Sequence, residues 1–176
     1  ADPIRIDRLA IEAPGLKAEG ALELDAQGHL SRAVLTNVTM PGRLDAAVTM
    51  VRGADAVPEL SISGNLLDVS DEIGGATDQK RKPPFRANLN MQRIKVTEKL
   101  VINSVTGKVS RSGQGTLRAN IDGFLGPDAA IALDLTLPPD AAGTMSLTSP
   151  NAGAALRYAD IYRGATGGAL KLDAQL

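Results

Sequence analysis

The chain has no cysteine and no tryptophan, and its 176 residues include only two phenylalanines and two tyrosines. Without cysteine there are no disulfides and no thiolate metal ligands, and the redox compartment stays open. Phe85, Phe124, Tyr158 and Tyr162 are too few to stack successive bases, so apolar volume must come from Leu, Val, Ile, Ala and Met. Neither charge sign dominates. Nineteen Lys+Arg against twenty Asp+Glu leave a net charge of −1, which offers no broad basic field for nucleic acid. No apolar run approaches the roughly 18–20 residues of a membrane-spanning helix, and no signal peptide is visible. The first residue is Ala1 rather than Met, which suggests an excised piece whose membrane anchor lies elsewhere.

What the chain does have is alternation. Leu16, Ala18, Leu22 and Leu24 share one side of an extended segment, with Lys17, Glu19, Glu23 and Asp25 on the other. The same period of two recurs at Leu44, Ala46, Val48 and Met50, at Leu60, Ile62 and Leu66, and at Phe85, Ala87, Leu89 and Met91. It returns at Leu117, Ala119 and Ile121, at Ile131 to Leu137, and at Leu170 to Leu176. Such spacing marks half-buried strands. Pro14-Gly15, Gln27-Gly28, Pro41-Gly42, Gly53, Ser112-Gly113, Gly126-Pro127 and Pro138-Pro139 separate them as turns. The pattern predicts an all-β, strongly twisted antiparallel meander of about ten or eleven strands in one unit, residues 1–176.

Two segments break the rhythm. Residues 71–84 (DEIGGATDQKRKPP) are polar and end in two prolines, which predicts a long exposed loop between two sheet halves. Ser149-Pro150 followed by Asn151 to Arg163 predicts one helix, capped by Ser149, opened by Pro150 and ended at Gly164. Ala155, Leu156, Ala159 and Tyr162 would share one face, with Leu156, Ala159 and Tyr162 as a cap on the sheet end or over a groove mouth.

About ten strands at ~4.8 Å spacing make a sheet ~50 Å wide, whereas a 13-residue helix is ~20 Å long. The helix cannot cover the whole apolar face. Either the sheet closes on itself as a sandwich or barrel, or it curves into an open trough whose wall takes an apolar guest. Periodicity alone leaves both open. In the trough, the wall would include Leu22, Leu24, Val48, Met50, Leu60, Ile62, Leu89, Met91, Leu117, Ile121, Leu133 and Leu135.

The segment Asn151-Ala-Gly-Ala-Ala-Leu-Arg-Tyr-Ala-Asp-Ile-Tyr-Arg-Gly-Ala-Thr-Gly-Gly-Ala-Leu-Lys-Leu resembles the C-terminal region of the AsmA-like superfamily, where a helix and a glycine pair precede a terminal strand. Leu66-Leu-Asp-Val-Ser70 before the polar loop, and Phe85-Arg-Ala-Asn-Leu-Asn-Met91 after it, are similar to elements of the same region. The resemblance spans roughly Leu60 to Leu176, and it departs from the family pattern at Arg163-Gly-Ala-Thr166. It implies a periplasmic segment of a larger protein anchored in the inner membrane, of the AsmA, YhdP and TamB group. The implied partners are phospholipid acyl chains, the remainder of the same chain and other envelope proteins. The implied role is lipid transport between membranes and outer-membrane integrity. A closed β-sandwich that serves as an interaction module without lipid is the alternative.

Catalytic equipment is sparse. His29, the only histidine, sits in the Gln27-Gly28-His29 turn without companions for a metal set or a nucleophile elbow. The expectation is therefore a non-enzyme with no cofactor and no metal. Asp68, Asp71 and Glu72 lack the spacing of a calcium loop. Lys80-Arg81-Lys82 is a short basic run at a loop tip, suited to solvent or to phosphate headgroups. Asn37-Val38-Thr39 is a formal glycosylation sequon. Gly167-Gly168 follows a helix instead of opening one, so it reads as a tight turn and not a phosphate cradle.

Overall fold

The computed structural model describes residues 2–70 and 82–176. Eleven strands lie side by side in chain order in one sheet: β1 (Ile4–Ala13), β2 (Leu16–Leu24), β3 (Leu30–Met40), β4 (Leu44–Arg52), β5 (Pro58–Asp68), β6 (Phe85–Lys95), β7 (Val101–Arg111), β8 (Leu117–Leu125), β9 (Ala129–Leu137), β10 (Thr144–Ser149) and β11 (Leu170–Gln175). The chain is mainly β, as its alternation predicts. Tight turns join most neighbours, and Gly15 and Gly42 adopt φ of +78° and +74°, a region that disfavours other residues.

One junction departs from the expected run of hairpins. β5 and β6 pair in parallel, from Glu59↔Arg86 to Asp68↔Lys95, because β6 re-enters at the end of the sheet where β5 began. A parallel neighbour needs a long connection, and the polar stretch supplies it. Of the expected loop 71–84, residues 71–81 lie outside the described residues. Where the chain leaves β5, Asp68 accepts from the Ser70 hydroxyl and amide and pairs with Lys95 Nζ at 3.3 Å.

The sheet does not close. Among the described residues β1 pairs only with β2 and β11 only with β10. The accessible surface, 10824 Å2, exceeds by about a third the roughly 8,100 Å2 that a compact chain of this mass exposes. Curvature comes from glycines set within strands. A Cβ on Gly20 would lie 2.0 Å from the Val34 carbonyl oxygen, and one on Gly64 would lie 2.3 Å from the Asp45 carbonyl oxygen. Both sit beside register shifts on the aliphatic side, so neighbouring strands bend toward that side more closely than any side chain permits.

The helix α1 (Ala152–Tyr158) is shorter than the expected 151–163. Its cap is Asn151, whose side chain accepts from the Ala154 amide at 3.1 Å, a bond worth about 1 kcal/mol. Ser149 instead ends β10, and Pro150 precedes the cap. The helix stops at Ala159, before the left-handed Asp160 (φ 55°), and not at Gly164. Gly167 and Gly168 turn with φ of +61° and +76°, and their carbonyls accept from the Gly153 and Ala152 amides. The glycine pair thus satisfies the first free donors of the helix.

Candidate functional site: the aliphatic face

Strand register decides which side chains share a face. Ala87, Leu89 and Met91 on β6 stand opposite Leu60, Ile62 and Gly64 on β5 and opposite Val109, Gly107 and Val105 on β7. The rows continue through Met50 and Val48 on β4 to Ala33 and Leu35 on β3 and Leu22 and Gly20 on β2. In the other direction they run through Ala119 and Ile121 on β8 to Leu135 and Leu133 on β9, Met145 and Leu147 on β10, and Ala174 and Leu172 on β11. The opposite face carries Arg32, Val51, Glu59, Arg86, Ser110, Arg118 and Thr136 in one such row. One face is therefore aliphatic from edge to edge and the other largely polar.

All twelve sequence-predicted wall residues fall on the aliphatic face: Leu22, Leu24, Val48, Met50, Leu60, Ile62, Leu89, Met91, Leu117, Ile121, Leu133 and Leu135. Their accessibility differs. Leu89 and Met91 are 8% and 1% exposed and belong to the protein's own core, so they are not wall open to a guest. The other ten are half-buried.

The core has an identifiable cause. Ala154 and Ala155 of α1 pack onto β8 and β9, joining Leu125, Ala129 and Ile131 in one cluster with Ile94, Ile102 and Val105. Val69, Val96 and Leu100, from the chain segments at the same end, pack against it. Of the expected helix face, Leu156 and Ala159 are half-buried, whereas Tyr162 lies beyond the helix and is 60% exposed. The contact is made by alanines because a close approach has no room for larger residues. Sequence reading placed Ala155 on this face and missed Ala154, its neighbour in the same contact.

Over β1 to β5 no comparable layer is present among the described residues. The buried apolar residues there are Ala18, Ala33, Val38 and Ala46, small side chains shielded by taller neighbours. At the edge, Ile4, Ile6 and Ile11 on β1 are 56%, 38% and 41% exposed on the aliphatic side.

The remaining sequence candidates sit apart from this face. His29 is exposed in its turn, 3.4 Å from Asp25. Asp25 accepts from the His29 and Gln27 amides, and the His29 bond in particular holds its carboxyl below the usual range. Asp68 is likewise lowered, first by the Ser70 hydroxyl bond, then by the Ser70 amide and Lys95. Asp71, Glu72, Lys80 and Arg81 lie outside the described residues. Thr39 donates its hydroxyl to Asn37 at 3.1 Å on β3. Among the described residues no three His, Cys, Asp or Glu side chains gather as a metal set, and no helix is long and apolar enough to cross a membrane.

Comparison of the chain with protein-family models, with curated proteins and with solved structures finds no match in any of the three.

Proposed function

We propose that the chain is a non-catalytic lipid-holding segment of an AsmA-like envelope protein, in which the aliphatic face of β1–β5 carries phospholipid acyl chains. The observation that carries this reading is the half of a continuous aliphatic face that no other described residues cover, whose edge isoleucines stand 38% to 56% exposed. Monomeric proteins rarely leave large contiguous apolar patches to water, and such patches mark binding surfaces. Each methylene moved from water to this wall contributes about 0.8 kcal/mol, so an acyl chain is retained by burial alone. An aliphatic wall with few rings favours flexible chains over flat ligands. No cofactor takes part and nothing chemical happens to the lipid. The unpaired edges at β1 and β11 suit continuation by the remainder of the same long chain or docking to envelope proteins. The setting consistent with this work is the periplasm, with the inner-membrane anchor in another part of the protein, and the physiological role is lipid supply to the outer membrane.

The test is purification followed by lipid extraction and mass spectrometry of the wild type and Leu22→Glu. The expected result is co-purifying phospholipid that disappears in the variant while the β-sheet circular dichroism signal is unchanged. A wild-type protein free of lipid would overturn the carrier reading and leave an interaction module.

A further inference from the structure

A hollow of about 420 Å3 opens at the end of the sheet where β6 and β8 begin and β7 ends. Arg86, Arg111 and Arg118 line it together with Ser112, Gln114 and Thr116, and among the described residues no carboxylate does. Arginines from three adjacent strands therefore border one hollow.

The register explains the convergence. Arg86, Ser110 and Arg118 occupy one cross-strand row on the polar face, and Phe85, Arg111 and Leu117 occupy the next row on the aliphatic face. The hollow thus straddles the sheet's rim. Arg86 is held from the β5 side by Asp55, at 2.5 Å, and by Glu59 at 3.5 Å, which fixes its guanidinium. Arg111 lies over the Phe85 ring, 5.2 Å from its centre. Arg118 makes no ion pair among the described residues. The floor is a braced turn, in which the Thr116 amide donates to Ser112 Oγ at 3.2 Å and the Ser112 amide to the Thr116 carbonyl at 3.0 Å.

Planar guanidinium forks with hydroxyl and amide donors match the oxygens of a tetrahedral anion. We propose that this hollow binds a phosphate group, either free phosphate or the phosphate of a lipid headgroup. The site stands independently of the acyl-carrier reading. Where both hold, the phosphate lies at the rim of the same sheet whose β1–β5 face takes the chains.

Isothermal titration at low ionic strength with two probes tests it: inorganic phosphate, and dihexanoyl phosphatidylglycerol below its micelle concentration. The variants are Arg118→Ala, Arg118→Lys and Leu22→Glu, each checked by circular dichroism. Binding of either probe that weakens about tenfold in Arg118→Ala and returns in part in Arg118→Lys supports the site. Phosphate binding indicates a free-anion source, and binding of the lipid alone indicates a headgroup. Leu22→Glu is expected to leave phosphate binding intact, and loss of lipid binding in that variant alone bears on the acyl wall. No binding of either probe by the wild type, or equal binding by Arg118→Ala, would sink the proposal.

Discussion

The two halves of this sheet carry the same alternating pattern on the same face, yet only one of them builds a core. Between β6 and β9 large side chains disappear from solvent: Met91 is 1% and Ile94 and Ile102 are 4% exposed. Between β1 and β5 only small ones do, and the larger aliphatics stand half-covered above them. The difference is seven helical residues and the turns at their end of the sheet. A strand can present an apolar face but cannot cover it. Stability is therefore concentrated where α1 sits, and half-exposed aliphatic surface is left where it does not reach.

The largest effect should come from placing a charge on each half. Val105→Asp buries a carboxylate with no partner and should remove several kcal/mol, leaving little folded protein. Val48→Asp, on the same face of β4 but half-exposed, should retain its sheet and lose less than half as much. Urea denaturation followed by far-ultraviolet circular dichroism compares them, and equal losses would erase the distinction between the halves.

A change at the helix sharpens it. A Cβ on Gly153 would lie 2.7 Å from the Ala165 carbonyl oxygen and 2.8 Å from the Gly167 amide nitrogen. Gly153→Val should push residues 165–168 off the helix and cost about 1–3 kcal/mol by overpacking. Hydrogen exchange should then quicken in β8 and β9 while β2 and β3 are unchanged. Exchange that quickens throughout would mean that the halves unfold as one.

The smallest effect belongs to the junction. The Asp68 carboxyl is lowered by Ser70 and Lys95, so its ionised form favours the folded chain. That contribution is complete above the ordinary carboxylate range and is lost as pH falls through the lowered value. Asp68→Asn should therefore show a slightly smaller drop in urea midpoint between about pH 5 and pH 3 than the wild type. An identical drop would mean that the parallel pairing does not depend on this carboxylate.

Much of the architecture was legible because a period of two can be read from one strand at a time. Leu44 to Met50 announce their face without reference to any neighbour, and so do Leu117 to Ile121. The parallel junction was not legible, since Glu59↔Arg86 depends on which end of β5 the chain returns to. Parity also fails where register shifts intervene: Leu66 alternates with Ile62 in the sequence but stands opposite Asp45 and Arg93 on the polar side, and Leu67 takes its place. Gly20 and Gly64 inside strand patterns were the available signal for those bends. The arginine hollow was invisible, because Arg86, Arg111 and Arg118 meet only across three strands.

By itself the sequence determined that this protein is a meander of strands with one aliphatic side and one polar side, because side-chain direction along a strand is a local property. Only the tertiary structure decided that, among the described residues, the sheet stays open, that β6–β9 bury their aliphatic side under α1, and that β1–β5 keep much of theirs half-exposed. Those outcomes depend on where distant segments come to rest, and a short helix of small residues can shelter only the strands it touches.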